Sequence, residues 1–248
     1  MEALSPLALI FLGYTCLLLP ALAVLSRVGG GATESAEVAA TESGETDATP
    51  ETAVEPSRAS MYVGALFVLG GLITLGLLAA REFELEVFAM PRLGGWEIAL
   101  GVAVLGASYG INGLVVSWMS EDERRAGEAF IPKTATDWAA FTAAALLGGV
   151  AEEVAYRGVA LALLTEATGS VLLALAVCVV SFAVGHSGQG KKAVVAVAVG
   201  ALLFHLLVHL TDTLVVAMVV HVVYDLTAVA WGARKLAREG VEALVKRP

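Results

Sequence analysis

Eight ionisable side chains interrupt apolar sequence in the second half of the chain: Glu152, Glu153, Arg157, His186, His205, His209, His221 and Asp225. At the centre of a lipid-spanning helix a charged residue costs about 2.5–3.5 kcal/mol on insertion scales, so residues of this kind persist mainly when paired or functional. The run Glu152-Glu153-Val154-Ala155-Tyr156-Arg157 reads EExxxR, and four-residue spacing puts Glu153 and Arg157 on one helix face within pairing reach. Glu152 points about 100° away and has no basic residue one turn on, so it needs a partner from another helix, or water. An unpaired carboxylate of this sort is what a general base looks like. His221 and Asp225 are again four apart, which places the carboxylate to accept the imidazole N–H. His186 closes the run Ser181-Phe182-Ala183-Val184-Gly185-His186. His205 and His209, one turn apart, would put two nitrogens on one metal ion if His186, His221 or a glutamate joined them. Leu206 stands where an HExxH motif has its glutamate. Each pattern also has a bland reading: an ion-paired anchor for Glu153 and Arg157, a tie between helices for His221 and Asp225, and packing for His205 and His209.

The elements that must carry these residues are transmembrane helices. Of 248 residues 58% are hydrophobic and 16% charged, with a mean hydropathy of +0.80, against about a quarter charged in an ordinary globular domain. An α-helix satisfies its own backbone in lipid and crosses the hydrocarbon in about 20 residues. The predicted fold is all-α and polytopic, with apolar runs at Ser5 to Ser26, Met61 to Ala80, Trp96 to Met119, Ala139 to Leu164, Val171 to His186, Ala193 to Leu210 and Leu214 to Gly232. That makes seven helices, or eight if Gly148-Gly149 bends or restarts the fourth. The first run has no Lys or Arg before it and is long for a signal-peptide core, so residues 1–28 read as a retained first helix.

The net charge of -9 is concentrated in residues 29–60, a stretch rich in Glu, Ala, Thr, Ser and Gly that reads as a disordered acidic loop. Two further helices with their connections fill 61–138, and 139–232 holds the last four. Residues 233–248 form a basic tail with helical spacing of Leu236, Val241 and Leu244, suited to lying along the membrane surface. Lys and Arg gather in alternate connections, which puts the C-terminus in the cytoplasm of a multi-pass cell-membrane protein and the N-terminus outside if the count is seven. Cys16 and Cys178 lie in apolar runs and read as small hydrophobes. Nothing in the composition calls for nucleic acid.

In order, Glu152-Glu153-xxx-Arg157, Phe182-xxx-His186 and His221-xxx-Asp225 resemble the motifs of the CPBP membrane proteases, which include the type II CAAX prenyl endopeptidases and abortive-infection-like membrane proteins. The resemblance covers about Ala139 to Trp231 and implies a catalytic four-helix core. It implies that Glu152 and His186 activate water, that Glu153 and Arg157 orient the base, and that His221 stabilises the oxyanion together with position 225. That position is asparagine in eukaryotic-type members and Asp225 here. An ionised aspartate cannot donate to an oxyanion, so either Asp225 is protonated or it holds His221 as the sole charged donor. The implied substrate is a membrane-embedded protein or lipidated peptide in the bilayer. Proteins of this likeness are often labelled metalloproteases, and two glutamates and two histidines are the ligand candidates for zinc, yet a glutamate–histidine pair activates water without metal. The readings from other classes are a non-enzymatic membrane partner or immunity-type protein of the same fold and a transporter using the glutamates and histidines as a titratable path.

Overall fold

A computed structural model describes residues 4–26, 57–89 and 93–245. The segment expected as an acidic loop, 29–60, therefore lies outside the described residues up to position 56. The described residues form eight helices: α1 (Pro6–Ser26), α2 (Arg58–Glu82), α3 (Gly95–Trp118), α4 (Glu121–Glu128), α5 (Ala135–Thr168), α6 (Val171–Gly185), α7 (Lys191–Thr211) and α8 (Leu214–Val245). Six of these are long and apolar enough to cross a membrane. The seventh candidate, α6, has 15 residues, about 22 Å of helix, and closes a hairpin with α7 through a short 3₁₀ turn at Ser187–Gln189.

The polypeptide is arranged around α5. Half of its most apolar window is buried, against 17–28% in the other long helices, and α1, α2, α6, α7 and α8 all pack on it. The outward faces carry large apolar side chains such as Phe67, Leu172 and Leu17. In lipid these gain little by burial, so the bundle is held by close van der Waals packing of small residues and by polar contacts between helices.

Two expectations are corrected here. Gly148-Gly149 does not restart the fourth apolar helix, because α5 runs through the pair without a break. The glycines serve a crossing instead: a Cβ on Gly149 would stand 2.5 Å from Val222 Cγ2 and 3.1 Å from the Val222 nitrogen, so α8 approaches where α5 has no side chain. The last helix also does not stop at Gly232 and continues as one 32-residue element. The tail is rich in good helix formers, Lys235 pairs with Glu239 at 3.8 Å, and Gly232 admits Ile131 against the helix.

The short helix α4 stands where the sequence reading had only a connection. Ser120 caps it and Glu123 returns a bond to the Ser120 N–H, a capping box. Thr134 and Asp137 repeat the device at the start of α5.

Candidate active site

Beyond Glu152, α5 departs from α-helical winding. From Glu153 to Ala160 its backbone bonds run five residues back, as in Leu161 N–H to Tyr156 O, which is π-helical winding. Such segments recur at functional sites. A second π-helical turn, Tyr14–Leu18, lies in α1 and touches the first. The Tyr156 hydroxyl joins them by donating to the Thr15 carbonyl at 3.1 Å. The first helix, which carries no ionisable site residue, thereby contacts the segment that carries Glu153 and Arg157.

Glu153 is fully enclosed, and its Oε1 has two partners. Arg157 Nη1 stands 3.3 Å away on the same helix, and His221 Nδ1 of α8 donates to it at 2.8 Å. The expected i,i+4 pair is therefore present, but the imidazole shares it. The hydrogen-bonded carboxylate of His221 is thus Glu153 rather than Asp225. Asp225 Oδ2 lies 3.7 Å from His221 Nε2, and Glu152 Oε2 lies at the same 3.7 Å from that nitrogen. The partner that Glu152 required from another helix is this imidazole. A difference in exposure separates the two glutamates: 18% of the Glu152 side chain is accessible and none of Glu153, so Glu152 is the carboxylate that can meet water.

Phe182 of α6 holds the back of the site. The Arg157 guanidinium sits 4.6 Å over its ring, Tyr156 meets it edge-on at 5.0 Å, and the His186 ring lies 4.5 Å away. His186 Nδ1 is 2.8 Å from the Phe182 carbonyl. A carbonyl only accepts, so Nδ1 carries the proton and the neutral ring keeps its lone pair on Nε2. Among the described residues His186 makes no ion pair with a carboxylate, although it is near enough to Asp225 for their charges to interact. Glu152, Glu153, Arg157, His221 and Asp225 are thus brought into direct contact, and His186 joins them through Phe182.

The turn after His186 is clamped from outside the bundle. Lys192 Nζ bonds the Trp118 carbonyl and Glu123 Oε2, the latter at 2.9 Å. The Ser120 backbone N–H, followed by Lys192, holds the Glu123 carboxyl down at about 2, below the usual carboxylate range.

His205 and His209 do not work as a pair: His205 is buried and His209 exposed. The donor set fits zinc poorly. His221 Nδ1 and Glu153 Oε1 are committed to one another, and among the described residues no group of three or more His, Cys, Asp or Glu is arranged to hold a metal ion.

Sequence reasoning passed over the roles of Tyr156, Phe204 and Gly149. Tyr156 lies inside the EExxxR run itself, and a buried tyrosine hydroxyl ordinarily has a partner to find. Phe204 packs 5.3 Å from the His221 ring and 5.6 Å from Arg157, with no local signal to distinguish it from any core aromatic.

No curated protein and no solved structure matches the chain. Residues 134–227, from the N-cap of α5 to just past Asp225 and including all six motif residues, match the model of the Rce1-like family of type II CAAX prenyl endopeptidases and bear out the resemblance that the three motifs carry.

Proposed function

We propose that this chain is an intramembrane endopeptidase that hydrolyses a peptide bond in a membrane-embedded or lipid-modified protein. The observation that carries the reading is the accessible Glu152 carboxylate beside an imidazole locked by a second, enclosed glutamate. Water held by Glu152 gives it a proton, with His186 Nε2 as the neighbouring acceptor, and the water oxygen attacks the substrate carbonyl carbon. The carbonyl electron pair moves to oxygen, where the protonated His221 Nε2 donates to the charge as an oxyanion donor should. Collapse breaks the C–N bond, and the departing nitrogen takes the proton from Glu152. Glu153 and Arg157 keep the imidazole in register. Asp225, at 3.7 Å, flanks the same nitrogen and steadies the cationic ring.

A prenylated protein C-terminus is the substrate class that the family description suggests. A wholly apolar groove of about 230 Å³ between α3 and α8, lined by Ile98, Val102, Val216, Val219 and Val223, offers hydrocarbon contact of the kind such a tail needs. The basic connections favour a C-terminus in the cytoplasm. Purified protein in liposomes, given candidate membrane-anchored substrates, tests the reading: wild type cleaves, Glu152→Gln does not, and a zinc chelator leaves wild-type cleavage intact. Cleavage undiminished in Glu152→Gln sinks the assignment, and loss under chelator moves it to a metal mechanism. Asp225 in place of asparagine favours one other reading, a non-enzymatic membrane partner, under which folded wild type cleaves none of a broad panel.

A further inference from the structure

His186 stands just past the end of α6. It belongs to the run Gly185-His186-Ser187-Gly188-Gln189-Gly190, in which every other kind of residue alternates with or adjoins a glycine. Glycine has the most backbone freedom to lose on ordering, and Gly190, at φ +103°, holds a conformation that side chains rarely adopt. Within the turn Gln189 N–H donates to the His186 carbonyl at 3.0 Å and Gly190 N–H to the Ser187 carbonyl at 3.2 Å. A reacting group has to be held within about 0.5 Å, and loops hold it less precisely than helices do. A turn of this composition needs support from outside itself.

Lys192 supplies it. Its ammonium bonds the carbonyl of Trp118, the last residue of α3, and Glu123 Oε2 at 2.9 Å. The same carboxylate oxygen accepts the Ser120 N–H at 2.9 Å. A Cβ on Gly190 would stand 3.8 Å from Glu123 Cγ, so the glutamate stem packs against the turn itself. The end of α3, the start of α4 and the start of α7 thus meet at one ammonium group. Lys191 and Lys192 are the first two residues of α7, where the positive end of the helix dipole disfavours a cation, whereas the carbonyl end of α3 favours one. The charge of Lys192 therefore serves α3 and α4 rather than the helix that carries it.

We infer that Lys192 and Glu123 are positioning residues for His186: by pinning the glycine-rich turn to α3 and α4 they hold the imidazole in place for its part in the reaction. The catalytic consequence rests on the protease reading; the pinning of the turn does not. Trp118, Ser120 and Glu123 all precede residue 134, where the family match begins. A segment outside the matched core is then part of what orders the site.

Lys192→Met keeps the stem and removes the ammonium. It should lower kcat about tenfold at unchanged KM, as should Glu123→Ala, while Lys192→Arg keeps the charge and most of the rate. Lys191→Met, on the exposed neighbour, should change nothing. In a His186→Ala background Lys192→Met should have no further effect on the residual kcat, because residues that act as a unit are not additive. The same factor lost in both backgrounds, as a merely structural lysine would give, overturns the positioning role. Backbone hydrogen exchange of residues 186–190 in the purified protein, read by mass spectrometry, tests the pinning without a substrate. Loss of a charge-assisted bond should speed it about ten- to hundredfold in Lys192→Met and leave it alone in Lys191→Met. Unchanged exchange in Lys192→Met overturns the pinning. If wild type cleaves nothing, the protease reading fails and the exchange still decides whether the turn is pinned. Glu123 is partly exposed, so Glu123→Ala keeps both measurements open should Lys192→Met fail to fold.

Discussion

Replacing Gly149 by alanine tests whether the glycine pair in α5 is a crossing or a hinge. The added methyl would meet Val222 Cγ2 at 2.5 Å and the Val222 backbone nitrogen at 3.1 Å. Ordinary contact between carbon atoms is about 3.5–4.0 Å, so α8 must retreat by about 1 Å. The valine side chain is stiff at χ1 and cannot simply swing clear. His221 is the neighbour of Val222 and moves with it, which lengthens the 2.8 Å bond to Glu153 beyond hydrogen-bonding range and carries Nε2 away from Glu152. A displacement of that size at a reacting group costs about 10²-fold in rate, and the overpacking itself about 1–3 kcal/mol of stability. Gly148→Ala is the internal control: its methyl meets Leu69 Cδ1 at 3.5 Å, an ordinary contact.

Initial rates of substrate cleavage, resolved into kcat and KM, and thermal unfolding in detergent measure both effects. Gly149→Ala should lose kcat and melting temperature, while Gly148→Ala should lose neither. Val222→Ala in the Gly149→Ala background should restore part of the rate, because it removes the Cγ2 clash and leaves the one at the backbone nitrogen. Equal damage from the two alanines would mean that the pair is needed for flexibility, and an undisturbed Gly149→Ala would refute the crossing argument altogether.

Glu153→Gln should destabilise the protein by about 3–5 kcal/mol, because it leaves the enclosed Arg157 guanidinium without its counter-charge; chemical or thermal unfolding in detergent reads this, and a loss below 1 kcal/mol contradicts it. Tyr156→Phe keeps the ring on Phe182 and deletes only the bond to the Thr15 carbonyl, so about 1 kcal/mol of stability should go with a several-fold fall in kcat. An unchanged kcat in that variant would free the first helix from any part in positioning the site. Glu123 has its carboxyl held down at about 2 from an ordinary 4.5, so its bonds to Ser120 and Lys192 contribute fully above about pH 4.5 and fade as pH falls toward 2. The stability gap between wild type and Glu123→Gln should accordingly be widest at neutral pH and close over that window; a gap constant down to pH 2 would show that the carboxylate charge is not what clamps the turn.

What the sequence made legible was whatever depends on a single helix. Apolar length located the long helices, and four-residue spacing placed Glu153 beside Arg157. The capping box at Ser120 and Glu123 was equally readable, yet Glu121 to Arg125 look like a solvated connection, and a short charged helix leaves no apolar stripe to find. Contacts between helices were not legible, because spacing says which residues share a face and nothing about which face another helix meets. His221 was assigned to Asp225 on that ground, although its hydrogen bond crosses to Glu153. The π-helical winding that turns Glu153, Tyr156 and Arg157 inward has no compositional mark either. Its Tyr156 hydroxyl meets a carbonyl in α1, 141 residues away, a contact that no local pattern announces. The three motifs are therefore parts of one constellation whose unit is the α5–α8 crossing: Gly149 admits α8, Val222 fills the gap, His221 follows into the reach of both glutamates, and of those two glutamates Glu152 is the one left facing water.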